Sequence, residues 1–279
     1  MNWEYVLIGL VRPYVPKRIL FAITKRRGDG NLEEEAPHDC LKAWMDQFEK
    51  RNVSFAGKHV LEVGSGRYAR FALQMLAAGA DRVTLIDPYA VPLKRPAQLA
   101  MLIKDCASLG LNCDDASSRI GVVGDDITRL PTPGPSDQVD LAISYSVLEH
   151  VRDPEAVLKC CWNWLKPGGS THHIIDLRDH SLRFRYPFEM LTFSDRVWSR
   201  WLDLSGGFHL NRWRAPDYLH AAHRAGFVNV DYQILSKDER ALKDVLPRLH
   251  RRFRSVPEDM LAILFMSLHC QKPLKFKCV

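Results

Sequence analysis

Short apolar runs alternate with amphipathic helical patterns between residues 58 and 177, and no other feature constrains the fold as much. The predicted strands are 58–63, 83–86, 120–123, 139–144 and 171–177. The predicted helices are 37–51, 70–78, 93–109 and a segment that begins near Pro154 and ends at 166–169. Strands that alternate with helices usually pair in parallel, because each helix carries the chain back along the sheet. The pattern predicts an α/β fold with helices on both faces of a mostly parallel sheet.

The alternation stops after residue 177. Roughly forty residues separate the fifth strand from the next predicted helix at 216–225, which is long for an ordinary connection. Strands are predicted again at 227–235 and 261–269. We expect the inserted segment, 178–215, to lie near the carboxyl ends of the strands, where open α/β sheets bind their ligands.

The first predicted strand ends in a glycine turn, Gly64-Ser65-Gly66. The turn matches the dinucleotide-binding pattern G-x-G-x-x-A, and Asp87 follows at about the interval of a ribose-binding acid. Glu62 decides between possible ligands, because its carboxylate would repel a pyrophosphate and attract a sulfonium or ammonium cation. Asp87 can accept hydrogen bonds from both hydroxyls of a ribose. These charges favour S-adenosylmethionine over a dinucleotide.

Six short motifs, in this order, resemble the class I S-adenosylmethionine-dependent methyltransferases of the small-molecule "type 11" kind. The motifs are VLEVGSG (60–66), LID (85–87), GDDI (124–127), VDLAIS (139–144), VLEHV (147–151) and LKPGG (165–169). The resemblance covers residues 57–177 well and 216–271 loosely. It implies a Rossmann-like sheet of seven strands, mostly parallel, with a lid inserted after strand five. It also implies an antiparallel edge strand, which we place at 261–269.

The charge pattern, the long connection after strand five and the resemblance together predict a domain organisation. We predict an N-terminal helical and basic segment (1–52), a Rossmann-like core that binds the cofactor (53–177), a substrate-binding lid (178–215) and a C-terminal part of the core sheet (216–279).

S-adenosylmethionine is the cofactor that the resemblance implies. Asp87 is expected to hold the ribose and Asp125 the adenine amino group, while the two glycines and Ser144 lie beside the methionine part. The full predicted set is Glu62, Gly64, Ser65, Gly66, Tyr68, Asp87, Pro88, Asp125, Asp126, Ile127 and Ser144. Tyr68 departs from the family pattern, which usually has a third glycine there so that the helix can approach closely. A tyrosine could wall the methyl-donor pocket, reach the substrate or weaken cofactor binding.

Two histidines are candidate catalytic bases for a hydroxyl acceptor, since histidine is the usual general base near neutral pH. His150 follows strand four and His180 lies just past strand five. His150 could instead only pack its loop, and an amine or carbon acceptor could react by positioning alone. The adjacent His172 and His173 point to opposite faces of a strand and cannot form a metal site by themselves. We expect no bound metal.

The lid is rich in arginine and aromatic residues and contains no lysine. Arginine binds carboxylates and phosphates through a planar fork and stacks on aromatic rings. The predicted substrate-binding residues are Tyr145, Glu149, Arg178, Trp198, Arg212 and Trp213. Two interpretations stay open. The lid could bind an amphipathic or aromatic acceptor with an anionic or glycosyl group, or its arginines could pair with its own acids around a small aromatic core.

Composition and charge narrow the class of protein. Hydrophobic residues make up 46% and charged residues 26%, which is typical of a globular protein. No apolar run approaches the roughly 18 residues of a membrane span. The seven cysteines contain no C-x-x-C pair, which favours a reducing, cytoplasmic setting without a disulfide framework. The net charge of +6 lies partly near the N-terminus, which predicts a solvated basic face or weak peripheral membrane contact there.

The sequence therefore predicts an enzyme that transfers a methyl group from S-adenosylmethionine to a small-molecule acceptor, with O-methylation favoured. The acceptor class is a secondary metabolite or a glycosylated or lipid-like intermediate. We expect no nucleic-acid substrate, because no Asn-Pro-Pro-Tyr or Asp-Pro-Pro-Tyr motif follows strand four. A monomer or homodimer is expected. The alternatives are an NAD(P)-dependent oxidoreductase and a non-catalytic partner protein with the same fold.

Overall fold

The computed structural model describes residues 6–7, 38–66, 68–90, 92–179, 187–203 and 209–274. Within these ranges the strands are β1 (His59–Val63), β2 (Arg82–Ile86), β3 (Ile120–Val123), β4 (Val139–Tyr145), β5 (Leu165–Asp176), β6 (Val228–Lys237) and β7 (Ile263–Gln271). The helices are α1 (His38–Lys50), α2 (Arg70–Ala77), α3 (Pro96–Leu109), α4 (Cys113–Ser118), α5 (Pro154–Trp164), α6 (Asp195–Val197), α7 (Ala215–Arg224), α8 (Glu239–Val245) and α9 (Glu258–Leu261).

The strands form one seven-stranded sheet in the order β3-β2-β1-β4-β5-β7-β6. Strands β1 to β5 pair in parallel, and β7 runs antiparallel to both β5 and β6. The prediction of a mostly parallel, Rossmann-like sheet is confirmed. The antiparallel strand predicted at 261–269 exists, but it lies between β5 and β6, so the outermost strand on that side is β6.

The Pro-Gly-Gly segment that was predicted to end a helix lies inside β5. Helix α5 ends at Trp164, and Leu165 already pairs with Val139 of β4. The pairing register then shifts, and Gly168 takes a positive φ of 81°. A local irregularity in β5 thus absorbs residues that read as a helix end in the sequence. Helices α4 and α8 were not predicted, because they are too short for a clear helical period.

Side chains alternate between the two faces of the sheet, and each face carries a buried core. On one face, helices α1, α2 and α3 cover strand residues such as Val60 and Leu141. On the other face, α5 and α7 cover their neighbours Leu61 and Ala142. The period of two places successive residues of each strand in different cores.

A third buried cluster joins the lid to the connection between β6 and β7. Phe188 and Trp198 from the lid pack with Leu242 and Phe253 from that connection. The lid therefore shares its core with residues far along the chain. The boundaries at 178 and 215 remain a prediction.

Candidate active site

The glycine turn lies at the carboxyl end of β1. Gly64 and Gly66 have φ values of 78° and 67°, in the left-handed region that glycine adopts readily. A Cβ atom on Gly64 would clash with the side chain of Val147, which belongs to the loop after β4. Apart from its own chain neighbours, no heavy atom of the described residues lies within 4 Å of the corresponding position at Gly66. Gly64 therefore lets the two loops approach each other, and Gly66 borders open space.

Glu62 is a buried carboxyl group just before this turn, with only 7% of its surface exposed. Its Oε2 atom has no hydrogen-bond partner among the described residues, and neither has the buried Oγ of Ser65. Burial, and then the nearby charge of Asp87, raises the pKa of Glu62 to about 8. A buried carboxyl oxygen without a partner is unfavourable unless a donor or cation satisfies it. The site is therefore suited to a cationic ligand group.

Asp87 follows β2 and ties the glycine turn to the second strand. One carboxylate oxygen accepts a hydrogen bond from the backbone N–H of Gly66 at 2.9 Å, and the other accepts from Tyr89 at 2.6 Å. Each carboxylate oxygen has a second lone pair, so hydroxyl groups of a ligand can still donate to it. Pro88, the next residue, is exposed. This placement agrees with a ribose-binding role for Asp87, which remains a prediction.

The three residues predicted to surround the adenine have different surroundings. Asp126 accepts a hydrogen bond from Thr128 N at 2.9 Å and caps the 3₁₀ turn Ile127–Arg129. The Ile127 side chain is buried in the core. Asp125 is half-buried and accepts from its neighbour's backbone N–H at 2.7 Å. Among these side chains, Asp125 is the one whose carboxylate is not used for capping.

The side chains of Ser144 and Tyr68 lie in different surroundings, and their roles toward the cofactor remain a prediction. The Ser144 hydroxyl is buried and lies 2.7 Å from Nδ1 of His173, whose other ring nitrogen lies 2.6 Å from Thr171. Its side chain thus belongs to a polar network inside the sheet. Tyr68 lines a cleft between α2 and α3 with Leu93 and neighbouring residues.

His150 lies in the loop after β4 and is held from the lid. Its Nδ1 is 2.8 Å from the backbone carbonyl of His209. A carbonyl only accepts hydrogen bonds, so Nδ1 carries the proton and the basic lone pair of the neutral ring is on Nε2. Asn211 fixes the same loop by donating to the carbonyls of Leu148 and Val151. The orientation that a general base needs is therefore imposed by residues about sixty positions away.

Glu149 points into the protein, which corrects the prediction that it contacts the acceptor. The residue is 2% exposed, and its Oε1 accepts from the backbone N–H of Asp176 at 3.3 Å. Burial, followed by the charge of Asp176, raises the pKa of Glu149 well above its ordinary value. These surroundings favour a neutral carboxyl behind the loop that carries His150.

Arg212 and Trp198 form the interior of the lid, which corrects their assignment as substrate contacts. Arg212 is 2% exposed and donates to the carbonyls of Met190 and Phe193 at 2.9 and 2.8 Å. It also pairs with Asp195 and packs over the Trp198 ring, whose Nε1 donates to the carbonyl of Leu210. For these two residues, the interpretation of a lid with its own aromatic core is the correct one.

Three other predicted contacts remain partly exposed: Tyr145 and Arg178 at the carboxyl ends of β4 and β5, and Trp213 just before α7. Tyr145 stacks on Trp44 of α1, with ring centroids 3.8 Å apart. Arg178 forms a two-point pair with Asp176 and packs over Phe265. Trp213 is partly buried and packs against Tyr218, with ring centroids 5.3 Å apart. His180, the second candidate base, lies outside the described residues.

The sequence interpretation missed Trp44 and Asn211 as parts of this site. Trp44 was recognised only as part of the apolar face of the first helix, and its contact with Tyr145 depends on how α1 docks. Asn211 carries no local signal, because its partners lie in another loop. Among the described residues, no group of three His, Cys, Asp or Glu side chains could hold a metal ion.

Comparison with known proteins places this site in context. Residues 32–232 match a family model described as "Methyltransferase domain". The ubiquinone biosynthesis O-methyltransferase of Marinobacter nauticus is 31% identical over 148 residues, which are 53% of this chain and 56% of that protein. The protein of the same name from Pseudomonas fluorescens is 29% identical, with the same coverage. The chain spans about half the length of the curated relatives it matches.

Solved structures show the same fold at low sequence identity. An S-adenosylmethionine-dependent methyltransferase from Mesorhizobium loti has a TM-score of 0.50 at 17% identity, covering 87% of this chain and 100% of its own. Phosphoethanolamine N-methyltransferase 2 from Haemonchus contortus has a TM-score of 0.51 at 15% identity, and the match covers 85% of this chain and 53% of that one. The [4+2]-cyclase SpnF has a TM-score of 0.52 at 18% identity, and the match covers 98% of this chain and 96% of that one. These likenesses concern the fold and leave the reaction open.

Proposed function

Because the chain belongs to the S-adenosylmethionine-dependent methyltransferases, we propose that it transfers a methyl group to a hydroxyl oxygen of a small molecule. The observation that carries the proposal is His150, whose Nδ1 is held by the His209 carbonyl and whose Nε2 is therefore the basic nitrogen. An oxygen nucleophile gains most from such a base, since a hydroxyl is a poor nucleophile while protonated. The O-methyltransferase names of the relatives support the same choice.

The residues at the end of β1 and β2 fit the cofactor. S-adenosylmethionine, when bound, supplies a methyl group on a positively charged sulfur, and it also carries an ammonium group. Among the described residues, the buried Oε2 of Glu62 has no hydrogen-bond partner, and a cation would supply one. Gly66 leaves the space that the methionine part needs, and Asp87 and Asp125 present carboxylates for the ribose and the adenine.

The proposed chemistry of the chain is positioning and proton removal. The glycine turn and Asp87 would hold the methyl donor, whose carbon–sulfur bond would break with its electron pair left on sulfur. Nε2 of His150 would accept the hydroxyl proton while the acceptor oxygen bonds to the methyl carbon. The His209 carbonyl then stabilises the imidazolium ion through the Nδ1 proton. In-line transfer between well-positioned groups needs no covalent intermediate with the protein.

The acceptor is proposed to lie against the partly exposed Tyr145 and Arg178 at the carboxyl ends of β4 and β5. The stacked Tyr145 and Trp44 rings support an aromatic or amphipathic acceptor. Secondary metabolites and glycosylated or lipid-like intermediates fit this description.

The proposal also includes the setting of the enzyme: it acts in the cytoplasm, as a monomer or homodimer, and does not act on nucleic acid. No helix in the described residues is both long and apolar enough to cross a bilayer.

The test combines calorimetry with product analysis. We expect S-adenosylmethionine and its demethylated product to bind, and hydroxylated aromatic compounds to gain one methyl group in mass spectrometry. Binding of NADH instead of S-adenosylmethionine would support the oxidoreductase. Conversion of an acceptor without a change of mass would point to a cyclisation of the kind named for one structural neighbour. Cofactor binding without turnover of any acceptor class would favour a non-catalytic partner.

A further inference from the structure

The outward face of α3 is unusually apolar. Leu99 and Ile103, one helical turn apart, are 42% and 52% exposed, and Tyr89, in the loop that leads to the helix, is 69% exposed. Ala100 and Ala107 continue the exposed stripe along the helix. Single exposed apolar side chains are ordinary on protein surfaces, but grouped ones mark interaction sites.

The stripe is a genuine outer surface, because the opposite side of α3 is already packed. Gln98, Leu102, Asp105 and Cys106 are all buried beneath the helix. Asp105 also pairs with Arg70 of α2 at 2.9 Å. The helix is thus fixed to the body of the protein with its polar contacts inside and an apolar stripe outside.

The exposed charges within the α3 stretch itself all have the same sign. The exposed charged residues between positions 94 and 109 are Lys94, Arg95 and Lys104. The acid in this stretch, Asp105, is buried in its ion pair. Apolar side chains flanked by Lys and Arg are typical of surfaces that lie in the headgroup region of an anionic bilayer.

We propose that the α3 surface, defined as Tyr89, Lys94, Arg95, Leu99, Ile103 and Lys104, docks on anionic lipid bilayers. Leu99 and Ile103 enter the boundary between headgroups and acyl chains, and the three cations contact the lipid phosphates. This inference does not depend on the proposed acceptor.

Charge complementarity favours lipid over the other possible occupants. A second copy of the chain packed across this face would bring two sets of cations together. The N-terminal segment of the same chain carries Arg12, Lys17, Arg18, Lys25, Arg26 and Arg27, which are also cations. The same segment also contains a short acidic run at 33–35, which could pair with the cations of the α3 surface. The experiment must therefore distinguish this segment from lipid as the occupant.

The experiment measures co-sedimentation of the full chain with vesicles of phosphatidylglycerol mixed with phosphatidylcholine. We expect binding that weakens with added salt and is lost on phosphatidylcholine alone. Combining Leu99→Ser with Ile103→Ser should lower the affinity at least ten-fold, a change of about 1.4 kcal/mol. Each of Lys94→Gln and Lys104→Gln should lower it about five-fold. The matched control combines Val228→Ser with Ile234→Ser on β6, where the exposures are 42% and 38%, and should bind normally.

Four outcomes overturn the proposal. The α3 surface is rejected as the docking site if the wild-type protein does not co-sediment with the vesicles. It is also rejected if the control pair of substitutions lowers the affinity as much as the α3 pair does. A concentration-dependent dimer that Ile103→Ser dissociates identifies a second copy as the occupant. If the α3 pair keeps vesicle binding but lowers the melting temperature and exposes residues 1–37 to protease, the N-terminal segment covers this face.

Discussion

At the scale of single residues, Glu62 is the most informative side chain. Its pKa of about 8 reflects burial and the charge of Asp87 in the free protein. A bound cation should lower this pKa, so binding of S-adenosylmethionine at about pH 7 should release a proton. Calorimetry in buffers of different ionisation enthalpy measures that release. Glu62→Gln should bind more weakly and release none, while a wild-type protein without buffer dependence would show that Glu62 does not meet the cation.

His150 should affect turnover more than cofactor binding. His150→Ala removes the proposed base, so kcat should fall by about 10² while the affinity for S-adenosylmethionine changes by no more than a few-fold. Asp87→Ala should show the reverse and lose cofactor binding first. Steady-state kinetics and calorimetry on both variants give the comparison.

A matched variant separates chemistry from loop packing. Asn211→Ala removes the hydrogen bonds that hold the loop of His150 but keeps the imidazole. The value of kcat should therefore fall, while its dependence on pH should still show the loss of activity at low pH that protonation of the histidine causes. Normal methylation by His150→Ala together with a lower melting temperature would assign the histidine a structural role. His180 would then be the next base to test.

At the scale of elements, the lid is stabilised from within by Arg212. Arg212→Met leaves the carbonyls of Met190 and Phe193 and the carboxylate of Asp195 without their donor. We expect a loss of about 3 kcal/mol in the free energy of unfolding, measured by denaturant titration. The exposed Arg196→Gln in the same lid is the control and should change little. A stable Arg212→Met protein that fails only to bind acceptor would restore the role in substrate binding.

At the scale of the whole molecule, buried titratable groups should give the stability a defined pH dependence. Burial lowers the pKa of His172 and of His173 to about 3, below the value of 6.5 for an ordinary histidine. The unfolded chain therefore takes up protons that the native protein does not, and stability falls as pH drops from 6.5 towards 3. The slope is about 1.4 kcal/mol per pH unit for each group.

Glu62 acts in the opposite direction. Its native pKa of about 8 lies above the ordinary 4.5, so its contribution to stability falls as pH rises from 4.5 to 8. Melting temperatures across this range test both effects. Relative to wild type, His172→Leu should reduce the pH dependence of the melting temperature at acid pH. Glu62→Gln should reduce it near neutral pH. Curves that stay parallel to wild type would mean that these groups titrate alike in the native and unfolded states.

Much of the fold could be predicted from the sequence, and so could the position of the glycine turn beside Glu62 and Asp87, because those parts depend on local patterns. The alternation of strands and helices, the glycine turn, and the carboxylates Glu62 and Asp87 each follow from residues close together in the chain. Parallel pairing then brings the ends of β1 and β2 to the same edge without further information.

Only the tertiary structure decided where other side chains point and which strand lies at the edge. Glu149, Arg212 and Trp198 turn inward because their partners come from distant segments, and Ser144 bonds to His173 of the neighbouring strand. The orientation of His150 depends on the carbonyl of His209 in the lid. The insertion of β7 between β5 and β6 depends on strand pairing in the same way. Periodicity along a chain reports which face of an element is buried, whereas loop orientation and strand order depend on contacts between residues far apart in sequence.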